Sequence, residues 1–313
     1  MRYYEIDFTI SPCSQEAKDI LAVLAGDAGC ESFEETEKGL KAYIQQPLYD
    51  EEAFKSMLEF FLFPDCKITF KVCEAEYRNW NEQWEQEGFE PIIISGEGQV
   101  VRNEQIDTII IHDGRHLPES LSADTSSASA TTNQIAIEID AHQAFGTGTH
   151  ETTRMICAEL LNIPLEGRQV LDCGCGTGIL GICALKLGAA ACVGYDIDEW
   201  SADNTRHNAI LNHVDDNLTV LCGDASLLAT LPASLSPNST SLDFSLIMAN
   251  INRNILLQDL PSFVSVMSSE ATLILSGFYE SDCQLLESKA LSLGLRLSHT
   301  RTDGDWACMV FKK

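Results

Sequence analysis

The sequence predicts an α/β chain in two parts: a small ferredoxin-like α+β domain over residues 1–76 and a Rossmann-like doubly wound sheet over 134–313, with a connector over 77–133 between them. Three observations carry this expectation. The first segment reads β-α-β-β-α-β. From Gln134 onward, short apolar runs alternate with helical patterns. One of those runs feeds a glycine-rich turn that opens a helix.

Taken in order, Tyr4, Ile6, Phe8 and Ile10 alternate as a half-buried strand does. Ser14 then opens a helix with Ile20, Leu21 and Leu24 at core spacing, and Gly26 to Gly29 end it. Strands are expected at Cys30 to Glu35 and Leu40 to Gln45. Asp50 can cap a helix carrying Phe54, Met57, Leu58 and Phe61, and Ile68, Phe70 and Val72 form a last strand. In the connector, Trp80 and Trp84 fall on one face of a helix that packs its aromatic side. Short β segments follow near Ile92 to Ile94 and Thr108 to Ile111. Residues 120–132 hold eight Ser or Thr, which reads as a flexible loop, and Pro232 to Ser241 is a second polar insert. Beyond Gln134 the apolar runs are Val170 to Cys173, Cys192 to Tyr195, Thr219 to Cys222, Phe244 to Ala249 and Thr272 to Ser276. Helical patterns such as Trp200 to Leu211 and Asn254 to Val266 separate them. A ligand site is expected at the carboxyl ends of these strands.

Composition narrows the function. The 313 residues carry 47 acidic and 20 basic side chains, a net charge of -27, and the excess is spread along the chain. Binding through nucleic-acid phosphates needs the opposite balance, so no direct nucleic-acid contact is expected. No stretch approaches the roughly 18 apolar residues of a membrane span, and the start shows no signal-peptide core. A soluble, cytoplasmic monomer is expected. The 12 cysteines include no Cys-x-x-Cys pair, so buried, inert thiols are expected and no metal site.

The most informative stretch runs from Val170 through Asp172, Gly174, Gly176 and Gly178 to Gly181. Gly176, Gly178 and Gly181 fit a dinucleotide turn, with Asp196 where an acid would meet a ribose. Asp172 discriminates. A carboxylate ending the strand would oppose a pyrophosphate, whereas S-adenosyl-L-methionine has no phosphate and carries a sulfonium and an ammonium. Gly223-Asp224 adds an acid that can accept from an adenine amino group. These features favour a methyl donor over a nicotinamide cofactor.

The stretch Ala144-Phe-Gly-Thr-Gly-Thr-His150-Glu-Thr-Thr153, the Asp172 turn, Asp196-Ile-Asp198, Ala249-Asn250-Ile251, Leu275-Ser-Gly277 and Asp305-Trp306 together resemble the family of methyltransferases that modify large-subunit ribosomal protein eleven. The resemblance covers nearly the whole chain. It implies a class I S-adenosylmethionine-dependent methyltransferase fold, with the small domain holding the ribosomal protein and one enzyme methylating lysine side chains and the N-terminal amine. It also implies site roles. Thr153 supplies a hydroxyl to the donor, Gly174 admits the donor's methionine portion, Gly176 belongs to the same turn, Asp196 accepts both ribose hydroxyls, and Asn250 sits beside the transferring methyl as the catalytic residue. The chain departs from the family at Glu151, where a proline is usual, at Asp140-Ala-His-Gln143 in place of Asp-Pro-Gly-Met, and at Ser269-Glu270-Ala271 in place of Pro-Gly-Gly.

Other readings stand beside these. His150 serves structure more readily than base catalysis. His112 and His116 flank an Asp-Gly turn signal, and Asp198 caps the next helix. Asn250 could close a strand, and Phe145 could cover the donor or join the core. Nucleic-acid and glutamine-amide methyltransferases usually follow the asparagine with Pro-Pro-Tyr, where this chain has Ile251-Asn252-Arg253. A methyltransferase of another protein or small-molecule amine, an adapter without activity and a nicotinamide oxidoreductase remain as further classes. The acidic surface suits a basic protein substrate and equally serves solubility.

Overall fold

The computed structural model describes residues 3–30, 32–59, 61, 66–75, 88–96, 106–118, 133–141, 146, 148–231 and 243–313. The chain divides into two compact units, Met1–Asn79 and Trp80–Lys313. The expected Trp80 to Trp84 helix, the runs at 120–132 and 232–241 and Phe145 lie outside the described residues.

In the first unit the elements are β1 (Tyr3–Ser11), α1 (Gln15–Asp27), β2 (Ser32–Thr36), β3 (Gly39–Gln45), α2 (Glu51–Glu59) and β4 (Lys67–Glu74). The sheet order is β2-β3-β1-β4 with every pairing antiparallel, the ferredoxin-like arrangement. Both helix starts follow from cap chemistry. Ser14 accepts from the Ala17 N–H at 3.2 Å, and Asp50 accepts from the Glu52 N–H at 2.9 Å. The buried stripe of α1 is Ala17, Leu21 and Ala25, while Ile20 is exposed. The expectation that placed Ile20 in the core is therefore corrected: two alanines bring α1 close to the sheet, and the larger side chain turns outward.

The second unit contains two sheets. The smaller has the order β5-β6-β7, from β5 (Ile92–Ser95), β6 (Thr108–His112) and β7 (Gln134–Glu138). Strand β7 thus pairs with β6 and does not enter the large sheet. The large sheet has seven strands in the order β10-β9-β8-β11-β12-β14-β13. These are β8 (Gln169–Cys173), β9 (Ala191–Asp196), β10 (Leu218–Cys222), β11 (Phe244–Asn250), β12 (Met267–Tyr279), β13 (Arg296–Asp303) and β14 (Trp306–Lys312). The first five are parallel, as expected, and β14 runs antiparallel to both neighbours. One face packs α3 (Glu151–Leu160) and α4 (Ile179–Lys186) through Met155, Leu160 and Ile182. The other packs α6 (Arg253–Ser265) and α7 (Cys283–Ser292) through Leu260, Phe263 and Leu286. Helix α5 (Glu199–Leu211) follows β9. No helix among the described residues is long and apolar enough to cross a membrane.

A buried ion cluster joins α3 to the antiparallel pair. Glu159 is buried and binds the Arg301 Nε and the His299 Nε2, each at 2.9 Å. A buried carboxylate is tolerated only with such partners. All 12 cysteines are free; seven are buried, whereas Cys13, Cys73 and Cys222 are exposed, against expectation.

The family departure at Glu270 has a backbone consequence. Glu270 adopts φ 62°, a left-handed conformation that glycine enters freely and other L-residues enter at a cost. Glu270→Gly should raise the unfolding free energy by about 1 kcal/mol. Denaturant unfolding tests this, and an unchanged midpoint would show that this position of β12 carries no strain.

Candidate functional site

A cavity of about 800 Å³ opens at the carboxyl ends of β8, β9, β10 and β11, where a doubly wound sheet places its ligand. All five sequence-predicted site residues, Thr153, Gly174, Gly176, Asp196 and Asn250, line it. They come from four separate segments of the chain.

The glycine turn is held by several bonds. Gly174, Gly176 and Gly178 have φ of 71°, 56° and 82°, and the N–H groups of Gly174 and Cys175 donate to the Tyr195 carbonyl at 2.8 and 3.0 Å. A Cβ on Gly174 would lie 2.4 Å from the Ile251 methyl, so the position excludes a side chain for reasons of both space and backbone. Gly178 then caps α4. The Thr177 hydroxyl donates to the Gly146 carbonyl, which laces this turn to the Phe-Gly-Thr-Gly segment.

Asp196 ends β9 and is half-buried. Its Oδ2 accepts from the Gly176 N–H and its Oδ1 from the Asp198 N–H, each at 3.0 Å. An ionised carboxylate offers about four lone-pair sites, so each oxygen keeps acceptor capacity for a ligand hydroxyl. Burial pushes its pKa up, against the pull of these N–H groups. Gly176 therefore acts through its N–H to aim Asp196. Asn250 ends β11, and its Nδ2 donates to the Thr153 Oγ1 at 3.4 Å. That bond uses one of the two amide N–H groups and turns Oδ1 away from Thr153, leaving it as an acceptor.

Asp172 differs from its expected role. It does not line the cavity; it is buried beneath the turn, where Oδ2 accepts from the Gly181 N–H of α4 at 2.9 Å and Oδ1 has no partner among the described residues. Among the described residues, the acids that face the cavity are Asp196, Asp224 and Asp259. Asp172 steadies the strand-to-helix turn from beneath. Burial pushes its pKa from an ordinary 3.8 up to about 7. The folded state then keeps this proton to higher pH than the unfolded chain does. Its stabilising contribution is full below about pH 4 and is lost as pH rises toward 7. Asp172→Asn should unfold at higher denaturant than wild type at about pH 8, by about 1 kcal/mol or more, and show little gain at about pH 4. An equal margin at both would mean that the carboxyl is ionised throughout.

The remaining candidates fall into structural roles. His150 caps α3, its Nδ1 accepting from the Thr152 N–H at 3.3 Å, and its ring meets Trp306 edge-on at 4.7 Å; Trp306 also packs on Tyr279 at 4.5 Å. Asp198 caps α5 through the Trp200 N–H. His112 accepts from the Gly114 N–H, and Asp113 holds His116 in the same turn.

Sequence reasoning missed the polar face of α5. Thr205 donates to the Gly176 carbonyl at 2.8 Å and Asn208 to the Thr177 carbonyl at 2.9 Å. Asn204 and Asn212 bind the carbonyls of Asp140 and Glu138, and Asn208 and Asn212 accept from their N–H groups. One helix thus fastens the glycine turn to the segment leaving β7. The signal was available: asparagines at 204, 208 and 212 share a helix face, where asparagine is a poor helix former unless it has such bonds.

A family model described as ribosomal protein L11 methyltransferase (PrmA) matches residues 119–313. Curated relatives with the name ribosomal protein L11 methyltransferase include one from Phocaeicola vulgatus, 42% identical over 311 residues and covering 99% of both chains. Another, from Porphyromonas gingivalis, is 39% identical over 299 residues, covering 95% of this chain and 91% of that one. The crystal structure of ribosomal protein L11 methylase from Lactobacillus delbrueckii subsp. bulgaricus shares the fold, with a TM-score of 0.52 and 24% identity over 71% of this chain and 98% of that one. With a family model spanning more than half the chain and full-length relatives at this identity, the chain belongs to the ribosomal protein L11 methyltransferase family.

Proposed function

We propose that the protein methylates ribosomal protein L11 at lysine side chains and the N-terminal amine, with S-adenosylmethionine as donor. The observation that carries the reading is the Asn250–Thr153 pair in the wall of the cavity that also holds Asp196. The residues fit the donor: Gly174, where a side chain would strike Ile251, lines the cavity with only its backbone, Asp196 has lone pairs left for two ribose hydroxyls, and three carboxylates suit a ligand of net positive charge. When bound, the donor supplies a methyl on a sulfonium, open to in-line displacement.

Each residue then has a task. Thr153 accepts from Asn250, so its own O–H is left to donate to the donor's carboxylate. The Asn250 Oδ1 accepts an N–H of the incoming amine and aims the nitrogen lone pair along the line of transfer. A lysine with a pKa near 10.4 is protonated at neutral pH, and the apolar side chains of Ile179, Leu180 and Ile251 in the wall favour its neutral form by desolvation. None of the described lining residues is Lys, Arg or His; the amine loses its proton to water before each transfer. This scheme allows an amine to be methylated more than once.

The test is incubation with labelled S-adenosylmethionine and a mixture of unmethylated large-subunit ribosomal proteins. Label should enter L11. Label in RNA, or in no protein, would defeat the proposal.

A further inference from the structure

The bond from Asn250 to Thr153, at 3.4 Å, is long, and a long bond holds an amide loosely. An acceptor that orients a reacting amine needs its oxygen fixed to within about 0.5 Å. The backbone that carries Asn250, residues 250–253 after β11, has to be fixed by what surrounds it.

Strand β12 runs beside that segment. Asn250 pairs with Ser276, whose buried hydroxyl donates to the Ala307 carbonyl of β14 at 2.7 Å. Gly277 follows as an extra residue in the ladder: Ser276 faces Cys308 and Phe278 faces Ala307, so the strand bulges between them. Gly277 adopts φ 91°, and a Cβ on it would lie 2.6 Å from the Ile251 carbonyl oxygen and 2.8 Å from the Ile251 nitrogen. Those are backbone atoms, which cannot swing aside. The Ile251 side chain in turn fills the space that a Cβ on Gly174 would need. Two glycines thus close on one residue, the neighbour of Asn250.

The far end of the segment is tied to the same strand. Arg253 Nη1 donates to Asp282 Oδ1 at 2.8 Å, and Asp282 Oδ2 accepts from the Tyr279 N–H at 3.4 Å. Tyr279 is the last residue of β12, and Asp282 lies in the turn after it. The ion pair therefore clamps the start of α6 to the strand whose bulge meets Ile251.

We infer that Gly277 and the Arg253–Asp282 pair are positioning residues for methyl transfer: bulge and ion pair set the 250–253 backbone, and through it the direction of the Asn250 Oδ1. This rests on the role of Asn250 proposed above.

Single-turnover rates of L11 methylation at saturating S-adenosylmethionine, in double-mutant cycles with Asn250→Ala, test it. Gly277→Ala pushes on the Ile251 backbone and should slow transfer about tenfold or more. Arg253→Gln should slow it about threefold to fivefold, the effect of losing a partly exposed ion pair, and Arg253→Lys should restore most of the rate. Once Asn250 is alanine, neither substitution should slow transfer further by more than about twofold, because no amide is left to aim. A purely structural defect would multiply with the Asn250→Ala loss. Thermal melting is the folding control, and Arg253, with its side chain 41% exposed, carries the cycle by itself if Gly277→Ala does not fold. Variants that match the wild-type rate, or penalties that multiply, would overturn the assignment and leave Asn250 in its proposed role. Wild type that transfers no methyl group to L11 would overturn both.

Discussion

The Asn250→Ala enzyme is expected to turn over on the order of a hundredfold more slowly than wild type, while its affinity for S-adenosylmethionine changes by no more than about threefold. The reason lies in the direction of the amide. With Nδ2 given to the Thr153 hydroxyl, Oδ1 is the acceptor that we propose orients the amine, and alanine would leave nothing at that spot to aim a lone pair. Thr153 keeps its hydroxyl, so the donor should remain held. Single-turnover kinetics at saturating donor, set against calorimetric binding, read the two quantities separately. A large loss of affinity with normal turnover would move Asn250 from the acceptor side to the donor side.

Asp196→Ala should show the converse. Two charge-assisted bonds to ribose hydroxyls, each of about 1.5–3 kcal/mol, amount to a loss of a hundredfold or more in donor affinity. The variant also strands the Gly176 and Asp198 N–H groups, which loosens the turn and adds to the effect. At saturating donor, turnover should recover most of its wild-type value. Asp196→Asn discriminates further: it keeps an acceptor oxygen but loses the charge, and its affinity should fall between wild type and alanine. Equal affinity in all three proteins would remove Asp196 from the donor site.

Much of the fold was legible because its determinants are local. Ser14 and Asp50 announce helix starts by side-chain chemistry that acts within three residues. The alternation of Ile6, Phe8 and Ile10 needs only the pleat of one strand. The parallel strands were legible as apolar runs because the central ones, β8, β9 and β11, are largely buried on both faces. Strand β13 was not: Arg-Leu-Ser-His-Thr-Arg-Thr-Asp is polar, and it becomes a strand through its pairing with β14. The turn between them, Gly304-Asp305 with Gly304 at φ 58°, is the two-residue hairpin signal that could have located the pair.

The site was legible to a different depth. Motif residues mark which segments converge, and Thr153, Asp196 and Asn250 all line one cavity. What a strand-end acid touches depends on which side of the sheet it faces. Asp172 and Asp196 lie at the ends of adjacent strands, yet one supports α4 and the other faces the cavity. That distinction is set by strand pairing and by the helix packed above, neither of which is written within the motif. The asparagines of α5 and the cavity-facing side chains of α6 belong to the same class. Their roles exist only after the helices dock.

The placement of β14 between β12 and β13 bears on when during translation the enzyme can become active. Every strand that carries a donor-site residue precedes it in the chain, so the glycine turn, Asp196 and Asn250 emerge from the ribosome first. Until β14 follows, β12 presents an open edge to other chains. Its other flank is already paired with β11. Arg301 and His299 reach Glu159 beneath α3 only when β13 has β14 to pair with. A nascent chain arrested before Trp306 would therefore hold nearly all the chemistry with an unfinished scaffold, exposed to self-association while synthesis continues.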